Sequence, residues 1–304
     1  MRVGFIGLGN MGLPMAANLA RAGQDLIVYD LNRTVVDKFV EEFGASPANG
    51  LESVARNADI VITIVPTGKD VRRIVLGQDG EPGLAEHMDK GKLLVDMSSS
   101  DPTGTVTLAK ELAERGIAMV DAPVSGGVRR ATDGSLAIMV GGGKAEVERC
   151  RALLDIMGGQ IFDCGPVGSG HAMKALNNML SAIGLAAAGE ALIIGKQFGL
   201  DPAVMVDTIN RSTGRNNATE VKFHQFVLSG AYNAGFTNGL MLKDLTTAQD
   251  LARATGVSAP FTALIREVYA ATLTQYGPAS DHTEVVRWQL EAAKVDLGKK
   301  PAKK

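Results

Sequence analysis

A polar stripe opens a long and otherwise apolar stretch of helical periodicity. Lys174 has Asn178 four residues after it and His171 three residues before it, so the three side chains share one helix face. A lysine in the first turns of a helix lies against the positive end of the helix dipole, which favours the neutral amine. Such an amine suits proton transfer near neutral pH. On the pattern alone, however, a lysine that extends from a packed helix into water is the commoner case.

A glycine-rich motif lies near residue 10, between an apolar strand-like run and a helix-like run. In that setting the first glycine permits a tight turn, the second lets the backbone approach a pyrophosphate, and the third lets the helix pack on the strand. The N–H groups and the dipole of the helix then attract the diphosphate. We therefore predict that a dinucleotide binds at the run Gly7-Leu8-Gly9-Asn10-Met11-Gly12.

The end of the next strand indicates which dinucleotide is bound. Asp30 follows the apolar run 26–29, where a carboxylate accepts hydrogen bonds from a ribose hydroxyl and repels a 2′-phosphate. We therefore expect NAD. NADP stays open, because Arg33, next to Asn32, could accommodate a 2′-phosphate if its side chain turns inward.

Three further segments follow predicted strands of the same sheet. Ligands of parallel α/β sheets lie beyond the carboxyl ends of the strands, so residues directly after strands are candidates for binding. A serine followed by two glycines offers a hydroxyl and open N–H groups that suit a carboxylate, although a simple glycine turn fits equally well. The cofactor candidates are Pro66, Thr67 and Ser98, and the substrate candidates are Ser125, Gly126 and Gly127.

Strand-like and helix-like segments alternate over the first half of the chain, which is typical of an α/β, Rossmann-like, doubly wound parallel sheet. The predicted strands are continuously apolar, as strands buried on both faces should be. We predict a dinucleotide-binding domain over 1–164, an all-α domain over 165–295 and a disordered basic tail over 296–304. The helical patterns of the second domain cover 169–198, 201–212, 222–229, 238–255 and 260–275.

Charge and composition exclude several classes of protein. A formal net charge of −2 gives no reason to expect nucleic acid or an anionic membrane as a partner. Cys150 and Cys164 form no C-x-x-C pair, and no histidine has a partner at metal-ligand spacing. We therefore expect a reduced, cytoplasmic protein without a metal site. The longest apolar stretch, 179–194, contains Glu190 and is too short to span a bilayer.

Together these segments resemble the β-hydroxyacid dehydrogenase family, which includes 3-hydroxyisobutyrate dehydrogenase and tartronate semialdehyde reductase. The resemblance covers residues 1 to about 290 and rests on four motifs in the family's order, over 4–12, 121–127, 165–178 and 243–245. It implies a Rossmann-like domain, a long inter-domain helix, and a helical domain that contributes to assembly into a homodimer or homotetramer.

The resemblance also implies roles for single residues. Lys174 matches the family's catalytic lysine, a general base in alcohol oxidation and a general acid in aldehyde reduction. Asn178 is expected to hold the substrate near it. Lys243 is expected to contact cofactor and substrate, with Asp244 orienting the groups nearby. The substrate carboxylate is expected to bind at Ser125, Gly126 and Gly127.

The implied reaction is hydride transfer between a nicotinamide and the carbinol carbon of a small 3-hydroxy carboxylic acid. Val128 fits the apolar branch of a 3-hydroxyisobutyrate-like acid. Arg129, Arg130 and Arg215 instead favour a tartronate or succinate semialdehyde-type substrate, or a threonate-like aldonate. Two more distant alternatives are an imine reductase and a non-catalytic nucleotide-binding relative, and the presence of Lys174 argues against both.

Overall fold

The computed structural model describes residues 1–297. The chain forms two compact units, Met1–Lys174 and the residues from Ala175 onward. The units therefore divide inside the long helix, whereas the predicted domain boundary at 164 precedes it. The predicted basic tail lies outside the described residues from position 298 onward.

The first unit alternates strands and helices along the chain. Its strands are β1 (Arg2–Ile6), β2 (Asp25–Tyr29), β3 (Ser46–Pro47), β4 (Ile60–Thr63), β5 (Gly77–Gln78), β6 (Glu81–Pro82), β7 (Leu93–Asp96), β8 (Ala118–Asp121), β9 (Val124–Ser125), β10 (Leu136–Gly141) and β11 (Gly158–Gly165). Its helices are α1 (Gly12–Arg21), α2 (Arg33–Phe43), α3 (Leu51–Asn57), α4 (Gly68–Leu76), α5 (Pro102–Glu114), α6 (Gly127–Thr132) and α7 (Lys144–Met157), with a 3₁₀ turn over Leu84–Glu86.

One large sheet forms the centre of this unit, and β5 and β6 form a separate hairpin. The strand order of the large sheet is β11-β10-β8-β7-β4-β1-β2-β3, with β9 paired to β10. All pairs from β8 to β3 are parallel. Val3 and Phe5 belong to one apolar cluster and Ile6 to another, because alternate side chains of β1 face opposite sides of the sheet. The predicted doubly wound parallel sheet is thus confirmed for these strands.

The sheet has a switch point beside its first strand. From β1 the chain adds β2 and β3 on one side and then returns to add β4 on the other. The connections therefore leave in opposite directions from β1 and β4, and such a switch opens a crevice beyond the carboxyl ends of the strands.

The far edge of the sheet differs from a wholly parallel arrangement. The strands β10 and β11 are parallel to each other but antiparallel to β8. The cause is local: Val124 and Ser125 pair antiparallel with Ile138 and Ala137, so the chain turns back after β8 instead of crossing the sheet.

The regular elements of the second unit are all helices in the part that the structure describes, apart from one isolated β-bridge between Thr237 and Asp281, which confirms the predicted all-α fold of this part. The short helices α3 and α6 of the first unit were not predicted, because apolar periodicity is weak over so few residues. The helix over Glu284–Ala293 was also not predicted. Within the predicted helix over 222–229 the structure has a π-helix, Phe223–Val227, and the short α-helix Asn217–Val221 that precedes it was not predicted. The helices from residue 169 on are α8 (Ser169–Phe198), α9 (Pro202–Asn210), α10 (Asn217–Val221), the π-helix Phe223–Val227, α11 (Asn238–Ala254), α12 (Pro260–Tyr276) and α13 (Glu284–Ala293).

The long helix α8 is apolar enough to cross a membrane by length and composition alone, with a mean hydropathy of 1.5 in its most apolar window. Half of that window is buried inside the protein. Ala182, Leu185 and Leu192 pack with residues of the other helices in the core of the second unit. Its apolar character is therefore that of a core helix.

Candidate active site

The loop between β1 and α1 holds the three glycines of the motif, and their surroundings separate their roles. A Cβ on Gly7, whose φ is 101°, would lie 2.2 Å from the carbonyl oxygen of Ile64, and one on Gly12 would lie 2.0 Å from that of Gly7. Packing of the loop therefore requires both glycines. A Cβ on Gly9 would meet nothing within 4 Å. An exposed glycine with open space above its backbone fits a ligand that approaches closely, as a pyrophosphate would.

Asp30 connects the glycine loop to the end of β2. Its Oδ2 accepts a hydrogen bond from the backbone N of Leu8 at 2.7 Å, and its Oδ1 accepts one from Asn32 N at 2.7 Å. A carboxylate retains further lone pairs for the hydroxyls of a ribose. Asn10 is exposed in the loop, and Met11 directly precedes α1. The predicted ribose-binding residue is thus adjacent to the predicted pyrophosphate loop.

Arg33 begins α2 and is held by acceptors of the protein. Its Nε lies 3.1 Å from Asp37 Oδ1, and its Nη1 donates to the carbonyl oxygen of Ala48 at 2.9 Å. Turning this side chain toward a 2′-phosphate would break both contacts.

The loops after β4 and β7 are joined to each other. The backbone N of Val65 donates to Ser98 Oγ at 3.0 Å, and Ser98 itself is buried. Thr67 caps α4: its Oγ1 accepts from the backbone N of Asp70 at 3.2 Å and donates to the carboxylate of that residue at 2.6 Å. Pro66, between them, is exposed. The cofactor candidates thus lie along one edge of the sheet, while the hydroxyls of Ser98 and Thr67 also serve the fold.

The predicted carboxylate-binding segment follows β8 and includes β9. Gly126 and Gly127 both have positive φ, 136° and 68°, a region that favours glycine. A Cβ on Gly126 would lie 2.5 Å from the side chain of Arg130, whereas one on Gly127 would meet nothing within 4 Å. Ser125 is half-buried at the end of β9. As in the dinucleotide loop, one glycine is required by packing and the next leaves its backbone open.

A buried histidine in the first turn of α8 lies between two buried aspartates. The Nε2 of His171 is 3.1 Å from the carbonyl oxygen of Ser98, and its Nδ1 is 2.9 Å from Thr105 Oγ1. The carboxylates of Asp96 and Asp121 each lie 3.6 Å from one of the two ring nitrogens. Because a carbonyl oxygen only accepts, Nε2 carries a proton. His171 therefore links the ends of β7 and β8 to the start of α8.

The backbone of α8 is fixed at the same place. Asp121 accepts hydrogen bonds from the backbone N of Gly168 at 2.6 Å and of His171 at 2.8 Å. Burial raises the pKa of the Asp121 carboxyl above its usual value, while the neighbouring His171 and these N–H groups limit the rise. A Cβ on Gly170 would lie 2.3 Å from the carbonyl oxygen of Met139, so the helix starts in close contact with β10.

Lys174 follows His171 by three residues on α8 and is only 8% exposed. The sequence pattern alone favoured a lysine that extends into water, so its burial is a structural finding. Lysines are almost never fully buried unless they are paired. The anchored first turn of the helix therefore holds a sheltered amine at a defined position.

In the second unit the structure joins two of the predicted substrate-binding segments. Asn178 Nδ2 donates to Asp244 Oδ2 at 2.5 Å, and Lys243 Nζ lies 3.6 Å from Asp244 Oδ1. Asn178 and Asp244 are both buried although 66 residues separate them. The carboxylate of Asp244 thus orients the amide of Asn178 and the ammonium of Lys243.

One lysine of the second unit was not among the predicted site residues. Lys222 joins α10 to the π-helix, and its Nζ donates to Ser181 Oγ at 3.1 Å. The sequence pattern placed it at the start of the predicted helix over 222–229. No local signal marks it, because Ser181 is 41 residues away.

Two family models match the chain. Residues 2–165 match the NAD binding domain of 6-phosphogluconate dehydrogenase, which is more than half of the chain. Residues 168–289 match the NAD-binding of NADP-dependent 3-hydroxyisobutyrate dehydrogenase. Both matches are to parts of dinucleotide-dependent dehydrogenases, and together they cover the Rossmann-like and the helical domain.

Individual proteins are similar over nearly the whole length. The 2-(hydroxymethyl)glutarate dehydrogenase of Eubacterium barkeri is 38% identical over 269 residues, which are 88% of this chain and 88% of that protein. The mitochondrial 3-hydroxyisobutyrate dehydrogenase of Mus musculus is 38% identical over 295 residues, 95% of this chain and 87% of that protein. A solved structure of Mycobacterium tuberculosis 3-hydroxyisobutyrate dehydrogenase with L-serine has a TM-score of 0.84 at 30% identity, covering 95% of this chain and 98% of that one.

These similarities and the fold define an NAD(P)-dependent oxidoreductase that acts on CH–OH groups. The chain belongs to the β-hydroxyacid dehydrogenase family. The predicted family and enzyme class are thereby confirmed. The two distant alternatives, an imine reductase and a non-catalytic nucleotide-binding relative, are not favoured by these relatives.

Proposed function

We propose that this enzyme reversibly oxidises a small 3-hydroxy carboxylic acid to its semialdehyde, with Lys174 as the general acid and base. The observation that carries the proposal is the burial of Lys174 on a helix whose first turn is anchored by His171. In oxidation, Lys174 Nζ removes the proton of the substrate hydroxyl, and in reduction it returns that proton. Bound NAD(P) supplies the hydride chemistry at the nicotinamide.

The remaining candidates hold the substrate for this proton transfer. Ser125 and the open backbone at Gly127 would bind the carboxylate. Asn178, fixed by Asp244, would donate a hydrogen bond to the substrate oxygen near Lys174. A positioned donor of this kind lowers the entropy cost of reaching the reactive geometry.

We propose NAD as the preferred cofactor. Asp30 already accepts from Leu8 and Asn32 and would accept from the ribose hydroxyls, whereas Arg33 is committed to Asp37 and Ala48. The substitution Asp30→Ala should narrow the ratio of kcat/KM for NAD over NADP, because it removes the carboxylate that repels a 2′-phosphate. An unchanged ratio would count against this role of Asp30.

The relatives narrow the class of substrate. 3-Hydroxyisobutyrate, 2-(hydroxymethyl)glutarate and L-serine share one skeleton, in which a primary alcohol lies one carbon beyond the carbon that bears the carboxylate. They differ only in the third substituent of that central carbon, here called R. We therefore propose that the substrate has the form HO–CH2–CH(R)–COO−, and that contacts to R decide which acid is preferred.

We also propose that the protein is a cytoplasmic homodimer or homotetramer. The second unit exposes several large apolar side chains, which a second copy of the chain would cover by packing against them. Size-exclusion chromatography with light scattering at micromolar concentration should give a multiple of the 31.8 kDa chain mass, and a monomer would overturn the proposal. The exposed side chains include Leu180, Ile194, Phe198, Phe261 and Leu264.

The test of the catalytic proposal is turnover of a panel of acids by the wild type and by variants of Lys174. Lys174→Ala should lower kcat by about 10²–10⁴-fold, and Lys174→Arg should be comparably slow because a guanidinium does not release its proton. The Kd for NADH, measured by fluorescence, should stay the same. Lys110→Ala, at an exposed lysine of α5, is the matched control and should keep its activity. Normal turnover by Lys174→Ala would overturn the assignment.

A further inference from the structure

Among the described residues, the ammonium of Lys222 has one hydrogen-bond partner and no carboxylate in direct contact. Its Nζ donates to the hydroxyl of Ser181 at 3.1 Å, and among the described residues no carboxylate lies within 4.0 Å of it. The side chain is half-buried, and burial lowers the pKa of this lysine to about 8. A sheltered cation without an acidic partner costs stability, so its presence calls for a reason beyond packing.

The nearest candidate for a counter-ion is already used. Asp281 opposes the effect of burial on Lys222 only in part. Its Oδ2 accepts from the backbone N of Gly235 at 2.8 Å and of Phe236 at 3.3 Å, and its Oδ1 accepts from Thr283 N and Oγ1 at 2.9 and 2.6 Å. Four donors thus satisfy Asp281, and the ammonium of Lys222 keeps donor capacity for a ligand.

The position of Ser181 relates this cation to the proposed catalytic residues. On α8, Ser181 lies three residues after Asn178 and seven after Lys174, so all three occupy one helix face. Seven residues correspond to about 10 Å along the helix axis. Lys222 itself lies at a junction between an α-helix and a π-helix, an irregularity that is frequent at functional sites.

We propose that Lys222, with Ser181, binds a second carboxylate carried by the R group of the substrate. The preferred substrates would then be hydroxymethyl dicarboxylates. This inference rests on the proposed function, because it assigns the part of the substrate that differs among HO–CH2–CH(R)–COO− acids. Because Ser181 lies two helical turns after Lys174 on α8, the R group has to be long enough for its carboxylate to lie beyond the carbon that bears the first one, and a carboxyethyl group is the R group chosen for the test. The ammonium gains the charge partner that it lacks, and the hydroxyl of Ser181 can donate to the same anion.

The decisive experiment compares two substrates that differ in one charge. One has a carboxyethyl group as R, and the other has a carbamoylethyl group, a neutral amide of the same shape. In the wild type, kcat/KM for the carboxyethyl acid should exceed that for the amide by at least about tenfold, as one charge-assisted contact would give. Raising the ionic strength should reduce this ratio, because salt screens the charge pair.

Variants of Lys222 then test whether this residue binds the carboxylate of the R group. Lys222→Met should bring the ratio of the two kcat/KM values close to one, and Lys222→Arg should retain most of the preference. Lys196→Met is the matched control, since Lys196 is a buried lysine on α8, the helix that carries Ser181, and donates to the carbonyl oxygen of Leu297. This control should leave the ratio at its wild-type value.

The outcomes separate this inference from the proposed function. Turnover of the amide at the same rate as the carboxyethyl acid, in a wild type that depends on Lys174, would overturn the role of Lys222 alone. An unchanged preference in Lys222→Met would do the same. Absence of turnover of either compound and of the wider acid panel, with NADH still bound, would overturn both proposals together. Should Lys222→Met fail to fold, the salt dependence of the wild type and the Lys222→Arg ratio still decide.

Discussion

His171 and Lys222 are two basic side chains withdrawn from water, and they differ in what surrounds them. His171 is 1% exposed, has a hydrogen-bond partner at each ring nitrogen, and lies 3.6 Å from each of two carboxylates. Lys222, as far as residues 1–297 show, has one hydrogen-bond partner, the neutral hydroxyl of Ser181. The first arrangement is closed to ligands, because every polar group already has a partner. The second is open.

The difference in surroundings suits different roles: His171 stabilises the fold, whereas Lys222 is proposed to bind a ligand. A buried polar cluster whose members all have partners is strongly destabilised when one member is removed, because the others then stay buried without compensation. Removing a sheltered cation that has no carboxylate in contact changes the free energy of unfolding in the opposite direction, since its removal relieves a desolvation cost. Natural proteins retain such destabilising groups where function needs them. The two sites should therefore respond oppositely to neutral substitutions.

The largest expected effect is at the closed site. His171→Leu leaves Asp96 and Asp121 buried without their imidazole, and we expect the free energy of unfolding to fall by about 3–5 kcal/mol. Urea denaturation followed by circular dichroism measures this. His224→Ala is the control, since His224 is exposed and pairs with Asp207 at 2.8 Å, a kind of pair that contributes about 0–1 kcal/mol. Equal losses in both variants would contradict the structural role of His171.

The open site should respond in the other direction. Lys222→Met should raise the free energy of unfolding at pH 7 by about 1–2 kcal/mol, a value already discounted for the partial exposure of the side chain. The gain should depend on pH. The folded-state pKa of about 8 lies below the unfolded value of 10.5, so the unfolded chain binds more protons between these pH values and wild-type stability rises there.

The advantage of Lys222→Met over the wild type should thus be full below pH 8 and disappear above about pH 10.5. Thermal unfolding of both proteins across this range, compared as a difference, removes the titration of all other groups. A variant that is less stable than the wild type at pH 7 would break the contrast with His171.

The smallest effect concerns the single partner of the lysine. Ser181→Ala should lower the free energy of unfolding by about 1 kcal/mol in the wild type, because the ammonium loses the one hydrogen bond that it makes within residues 1–297. In the Lys222→Met background the same substitution should be nearly neutral. A double-mutant cycle measures this coupling, and equal effects in both backgrounds would show that the two side chains act independently.

Sequence reasoning predicted the parts of the molecule that local rules determine. The turn at Gly7 and the close approach at Gly12 follow from steric limits on a strand–turn–helix unit, and the predicted polar stripe of Lys174 and Asn178 follows from helical periodicity. The buried parallel strands could likewise be read from continuous apolar runs. Each of these features depends on a short stretch of sequence, in which the spacing of residues alone determines which side chains share a face.

Features that depend on distant contacts could not be predicted in the same way. The reversal of β10 arises from the pairing of Val124 with Ile138, and a strand has the same local pattern in either direction. The partner of Asn178 lies 66 residues away, so the sequence marked Asp244 as a candidate without showing what it holds. No local pattern distinguished Lys222, because what sets it apart is that no carboxylate of the described residues contacts its ammonium.

The helix α8 has a consequence for how such a chain can vary. Lys174, Asn178 and Ser181 share a face because three and four residues are close to one helical turn, and each inserted residue rotates everything after it by about 100°. Substitutions between them change a side chain, but an insertion or a deletion of one residue would turn the later groups away from the earlier ones. In this segment of α8, many substitutions therefore preserve the common face, whereas a change in the number of residues destroys it.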